Sequence, residues 1–102
     1  MSTTFITKRV AEQIYRYHQF RRTDGVGWLG TTETITAETI SILDSTSVNK
    51  ANTMVDNDAI YADTQVRYRV KGGEAGKDYT IIITVDTDIG NKFEDTLTLK
   101  VR

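Results

Sequence analysis

The sequence predicts an all-β fold, an immunoglobulin-like antiparallel β-sandwich of about seven strands with a short helical turn near the N-terminus. Three observations carry the prediction. The second half of the chain alternates apolar and polar residues with period two, the mark of strands with one buried face. Turn residues recur about every 8 to 12 positions, the spacing of a sandwich of short strands. Proline is absent, so Gly, Asn and Asp must supply every sharp bend and their clusters mark where strands end. A small barrel is the other way to close the same strands.

From the N-terminus, residues 1–5 are expected to be a flexible lead, and so is the later DGVG stretch. Ile6, Val10, Ile14 and Tyr17 recur at helical spacing, whereas QIYRYHQF reads equally well as an aromatic strand; a brief helical turn feeding a strand is expected. In TETITAETISIL the parity of Ile35 differs from that of Ile40 and Ile42, which predicts a long strand kinked by a bulge near Ala37 to Thr39. VNKANTMVDNDAIYAD pairs Met54 with Val55 and Ile60 with Tyr61 around an Asp-Asn-Asp turn, which predicts two short strands.

The pattern then sharpens. In QVRYRVK, Val66, Tyr68 and Val70 oppose Arg67, Arg69 and Lys71. In DYTIIITVDT, Tyr79, Ile81, Ile83 and Val85 share a face, and the β-branched residues strengthen the strand. In KFEDTLTLKVR, Phe93, Leu97, Leu99 and Val101 share a face that only Asp95 interrupts. The Gly90-Asn91 tip of DTDIGNK joins the last two runs as an antiparallel hairpin. GGEAGK is expected to join the first two through a wider loop, so that the three strands form a meander.

Size and composition narrow the function. A chain of 102 residues, 38% apolar and 26% charged, is expected to form one domain over residues 1–102. Thirteen Lys and Arg against fourteen Asp and Glu give a net charge of −1, so no overall positive field recommends nucleic acid or an anionic membrane. Cysteine is absent, which excludes disulfides, thiolate metal sites and a thiol nucleophile. The MSTTFITKRV start has no apolar core of a signal peptide, and the longest apolar run surrounds IIITV, too short to span a membrane.

The motifs that carry chemistry are weak. GGEAGKD has Lys71, not Gly, five positions before Gly76, and Asp78 after Lys77, and a strand rather than a helix follows; it is a turn and not a phosphate loop. DTDIGN resembles the start of a calcium loop, but the position for a bidentate Glu is Leu97; a looser site would need Asp86 and Asp88 with Asp56, Asn57 and Asp58. His18 is the only histidine, and Ser41, Ser45 and Ser47 lie in no nucleophile elbow. No catalytic, cofactor or metal residue is therefore assigned. Arg16, Arg21 and Arg22 form one basic cluster and Arg67, Arg69 and Lys71 an outward row, which acids such as Glu94 are expected to pair across the sheet. Trp28, Tyr15 and Tyr17 are expected in packing, with one of them an interface anchor. Gly76-Lys77-Asp78-Tyr79 has the setting of a tyrosine corner, with Tyr79 entering the core.

Read together, VRYRVKGGEAGKDYTIIITVDTDIGNKFEDTLTLKVR resembles the C-terminal part of small bacteriophage proteins described as fiber-tail adaptors or neck-associated immunoglobulin-like proteins. The resemblance covers about the last 38 residues, and upstream Thr7, Lys8, Tyr17, Trp28, Leu29, Thr34 and Ile35 take places that the family also shows. It implies a virion structural protein, assembled in the bacterial host cytoplasm, that joins other neck, tail or fiber proteins and is present in several copies. It carries over no catalytic residue.

The expected contact residues are Trp28 and Leu29 in the DGVGWLG loop, Gly72, Gly73 and Glu74 in the crossing loop, Arg67 and Arg69, and the unpaired strand edges. Tyr79, Gly76 and Gly90 are expected to be structural. Two rival readings remain: a carbohydrate- or Ca²⁺-binding module using Trp28, the tyrosines and the Asp-rich turns, and a hydrolase around His18.

Overall fold

The computed structural model describes residues 4–20 and 33–102. Seven strands and one helical turn follow in the order β1 (Thr4–Lys8), β2 (Ile14–Gln19), β3 (Ile35–Leu43), α1 (Ala51–Met54), β4 (Val55–Tyr61), β5 (Gln65–Val70), β6 (Asp78–Thr87) and β7 (Lys92–Val101). They form two sheets, β1-β7-β6-β3 and β2-β5-β4, the layered arrangement of a β-sandwich.

Between the sheets lies one apolar cluster. Period-two alternation turns Val66, Tyr68 and Val70 of β5, Tyr79, Ile81, Ile83 and Val85 of β6, and Leu97, Leu99 and Val101 of β7 inward, where all are buried. Ile6, Phe20, Ile35, Ile40, Ile42 and Met54 complete it. The register of β3 on β6 shifts between Ile35 and Ala37, and this is what brings both Ile35 and Ile42 into the core despite their opposite parity. The bulge expected in this strand is present, at its N-terminal end.

Four local expectations give way to the packing. The helical spacing of Ile6 to Tyr17 is not used: this stretch forms β1, a turn and β2, and Val10 and Tyr17 are exposed. The pairing energy of two sheets overrides a three-turn periodicity, and the helical turn lies instead at Ala51–Met54, where Met54 caps the core. VNKANTMVDNDAIYAD is that turn plus a single strand, β4, whose register on β5 shifts between Asp56 and Ala59, with Asn57 at φ 53°. The sandwich is not wholly antiparallel, because β1 runs parallel to β7 with Thr4 opposite Leu97 and Lys8 opposite Val101. Finally, β6 and β7 form the expected hairpin, but β5 pairs with β2 and β4, so the three strands are not a meander.

The crossing loop after β5 explains that last difference. Gly72, Gly73 and Gly76 all adopt positive φ, which turns the chain from one sheet to the other. At Gly73 a Cβ would lie 2.9 Å from Val101 Cγ2 and 3.1 Å from Met54 Cε, so the core itself closes against the backbone there. The loop is tied down from three sides. Gly76 N–H donates to the Val101 carbonyl at 2.8 Å. Glu74 N–H donates to the Tyr79 hydroxyl at 3.0 Å, the geometry of a tyrosine corner. Lys8, 2% exposed, extends its ammonium from the end of β1 to the Gly72 carbonyl at 2.6 Å and the Arg9 carbonyl at 2.7 Å. Burial lowers the Lys8 pKa, with Glu12 acting in the opposite sense.

Asp95, the one break in the apolar face of β7, has a partner in the opposite sheet: His18 Nε2 lies 2.9 Å from Asp95 Oδ2. The imidazole also packs edge-on against Phe20 at 4.9 Å. Burial lowers the His18 pKa, and Asp95 only partly offsets it. This is an inter-sheet polar tie within the core.

Candidate interaction face

The outer face of the β2-β5-β4 sheet is built by the same alternation that builds the core. In β2, Ile14 and His18 turn inward, so Tyr15, Tyr17 and Gln19 turn outward; in β5, burial of Val66, Tyr68 and Val70 leaves Arg67 and Arg69 outward. Cross-strand pairing sets Tyr15 opposite Arg69 and Tyr17 opposite Arg67, and from the other side Asp56 opposite Arg69 and Ala59 opposite Arg67. Tyr61, at the end of β4, closes the patch.

The side chains are held in place by one another. Tyr17 and Tyr61 meet edge-to-face across the central strand, centroids 5.0 Å apart at 72°. Both guanidinium groups approach the Tyr15 ring, Arg67 at 5.7 Å and Arg69 at 5.9 Å from its centroid. The Tyr15 hydroxyl accepts from Asn57 Nδ2 at 2.9 Å. Yet the rings stay about half exposed: 48% for Tyr15, 52% for Tyr17 and 45% for Tyr61.

Charge on this face is uneven. Arg69 Nε donates to Asp56 Oδ1 at 2.7 Å, and Lys71 Nζ lies 3.2 Å from Asp56 Oδ2. The Arg69 hydrogen bond, helped by Lys71, holds the Asp56 carboxyl down to about 2. Asp56 therefore serves two cations, and among the described residues no carboxylate pairs with Arg67. The Arg67 Nε is buried and has no hydrogen-bond partner. Glu94, the expected partner of this row, cannot serve, because it lies on β7 in the other sheet, where Thr84 contacts it. Among the described residues, Arg67, Arg69 and Lys71 against Asp56 leave the face positive.

The opposite outer face differs in kind. Alternation on β3, β6 and β7 turns Ser41, Thr80, Ile82, Thr84, Thr96 and Thr98 outward, with Thr80 opposite Thr98 and Ile82 opposite both Thr96 and Ser41. It is hydroxyl-lined along its middle, with charges of both signs toward its ends, where Asp78 stands opposite Lys100 and Asp86 opposite Lys92. A subunit with two chemically unlike faces can hold two different neighbours.

The other singled-out residues fall elsewhere. Trp28 and Leu29, with the rest of the DGVGWLG loop and with Arg21 and Arg22, lie outside the described residues. Gly72, Gly73 and Glu74 lie in the crossing loop, where their backbone groups serve Lys8 and Tyr79. Gly90, at φ 88°, turns the β6–β7 hairpin. His18 faces Asp95, while Ser41 is on the outer side of β3 and Ser45 and Ser47 are in the turn that follows it. Among the described residues no group of three or more His, Cys, Asp or Glu could hold a metal ion, and no helix is long and apolar enough to cross a membrane. Of the acids considered for Ca²⁺, Asp56 is engaged by Arg69 and Lys71, and Asp88 Oδ1 accepts from Thr34 N–H at 3.1 Å.

Asp58 faces a second carboxyl, Glu38 of β3, whose Oε2 is buried without a partner. Burial first, and Asp58 second, push Glu38 up to about 7. Folding thus retains a proton that the unfolded chain releases near 4.5. This contribution is complete below pH 4.5 and is lost as pH rises through about 7. His18, with its lowered pKa, acts oppositely, its contribution present above 6.5 and lost on acidification. The comparison that isolates Glu38 is the melting temperature of Glu38→Gln minus that of the parent chain, which is expected to increase from pH 5 to pH 8. A constant difference would remove the shared proton.

Sequence reasoning expected Tyr15 and Tyr17 in packing, with one of these or Trp28 as an interface anchor; both rings lie instead on this outer face. The signal was present in IYRYHQF, where Tyr15 and Tyr17 share parity with Gln19, and Ile14 shares parity with His18 and Phe20.

A family model described as podophage GP4 fiber-tail adaptor protein gp77 matches residues 17–100. The matched span takes in β3 to β6 entirely, β7 up to Lys100 and the second half of β2. A search of curated proteins finds no match.

Proposed function

The chain belongs to the podophage GP4 fiber-tail adaptor family, and from that premise we propose that it is a non-enzymatic structural component of the phage neck or tail, present in several copies, which joins other virion proteins through its tyrosine–arginine face, its strand edges and its crossing loop. Residues 1–102 act as one immunoglobulin-like domain assembled into the particle in the host cytoplasm. The strand orders support the domain assignment: β2-β5-β4 follows the B-E-D order of immunoglobulin sheets and β3-β6-β7 the C-F-G order, with β1 added beside the last strand.

The observation that carries the reading is the outer face of β2-β5-β4. Tyr and Arg dominate binding hot spots because they bury a large area with few rotamers to freeze. Here three half-exposed tyrosines are held by a sheet around Arg67, which is partly buried. Such a face gains by being covered.

Co-purification tests the reading. Tagged protein recovered from lysing host cells is expected to bring down tail or fiber proteins, and the Tyr17→Ser/Arg67→Glu variant to lose them while melting as the parent does. A folded parent chain that recovers no virion protein would overturn it, and so would a specific glycan ligand that competes with no protein.

A further inference from the structure

The tyrosine–arginine face has a complement on the same chain, at the tip of the β6–β7 hairpin. Thr87 N–H donates to the Asn91 carbonyl at 2.9 Å and Gly90 N–H to the Thr87 carbonyl at 3.2 Å, which closes a tight turn. That turn holds Ile89 away from the core at 68% exposure, above every other large apolar side chain among the described residues. Asp88 stands exposed beside it, with one carboxylate oxygen on Thr34 N–H, and Asp86 enters the turn with Lys92 at 3.5 Å. The tip is an apolar knob flanked by carboxylates.

The face offers what the knob lacks. Tyr17 and Tyr61 present two half-exposed ring surfaces, and Arg67, beside Tyr17 in register, has no carboxylate partner among the described residues. We propose that the hairpin tip of one copy docks on the tyrosine–arginine face of the next, Ile89 packing on Tyr17 and Tyr61 and the Asp88 carboxylate accepting from the Arg67 guanidinium. The two surfaces differ, so the contact is heterologous and repeats from copy to copy, closing a ring where the rotation permits. It leaves the hydroxyl-lined face of the other sheet free for a different virion protein. This rests on the reading of the chain as an adaptor present in several copies.

The full chain is tested by size-exclusion chromatography with light scattering across a concentration series. An assembly larger than a monomer is expected, and Ile89→Asp and Arg67→Glu should each weaken it at least tenfold without changing the melt. Combining Arg67→Glu with Asp88→Arg should restore most of that loss. Because the chain has no cysteine, a chain carrying both Tyr61→Cys and Ile89→Cys should form a ladder of disulfide-linked multimers on oxidation, whereas each single variant should stop at dimers.

Four outcomes overturn the proposal. They are a parent chain that stays monomeric and gives no ladder, an assembly indifferent to Ile89→Asp, an assembly not rescued by the charge exchange, and an acidic virion protein that displaces nothing yet needs Arg67. If any of these holds while the parent chain still recovers tail or fiber proteins, the self-docking contact fails and the adaptor reading stands.

Discussion

Lys8→Met is expected to lower the unfolding free energy by about 3 kcal/mol, the range for buried carbonyls that lose a charged donor. The ammonium supplies short hydrogen bonds to Arg9 and Gly72, with a longer one to Val10 at 3.3 Å. Methionine fills the same space and donates nothing, so packing is preserved while the carbonyls are left without a partner. The loss matters beyond its size, because Gly72 begins the loop that carries the chain from β5 to β6 and Lys8 ends the strand that runs parallel to β7. Chemical denaturation of the two proteins measures it. A change under about 0.5 kcal/mol would show that water replaces the ammonium without cost.

Tyr79→Ala is expected to have a larger effect, about 3 to 5 kcal/mol, from the cavity left by a ring that is 6% exposed at the start of β6. The companion substitution Tyr79→Phe separates the ring from the hydroxyl. Phenylalanine keeps the ring contacts and removes only the acceptor for Glu74 N–H, so about 1 kcal/mol is expected. Equal losses in the two variants would mean that the hydroxyl carries the corner, and a negligible loss in Tyr79→Ala would mean that the core closes without the ring. The melt of each variant decides between them.

Much of the fold was legible because alternation is a local property. The runs from Gln65, Asp78 and Lys92 show their buried faces residue by residue, and the shift at Ile35 shows the bulge. Partnership was not legible, since nothing local in QVRYRVK says that it pairs with residues 14–19 and 55–61 rather than with its neighbour in sequence. The glycines of the crossing loop fit a wide hairpin and a change of sheet equally well; only the closeness of Met54 and Val101 to Gly73 distinguishes them. Asp95 looked like an interruption because its partner, His18, lies 77 positions away on the other sheet.

The tyrosine–arginine face was half legible. Arg67 and Arg69 stand outward on alternation alone, but their company of Tyr15, Tyr17 and Tyr61 depends on β2 and β4 flanking β5. The same pairing explains why Asp56 and not Glu94 neutralises the row, and why Arg67 is left over. Lys8 was visible only as part of a family pattern, because a lysine with its ammonium on backbone carbonyls has no signature in composition or spacing.

An adaptor needs surfaces that outlast its own folding, and the two outer faces of this sandwich differ in the way that joining unlike neighbours requires. The tyrosine–arginine face carries the half-exposed rings, so it is where covering gains most. The most direct measurement is the copy number of the chain in purified phage particles produced with either the parent protein or the Tyr17→Ser/Arg67→Glu variant. The account predicts that the variant folds in the host and is missing from particles, whereas a variant incorporated at the parental copy number would contradict it.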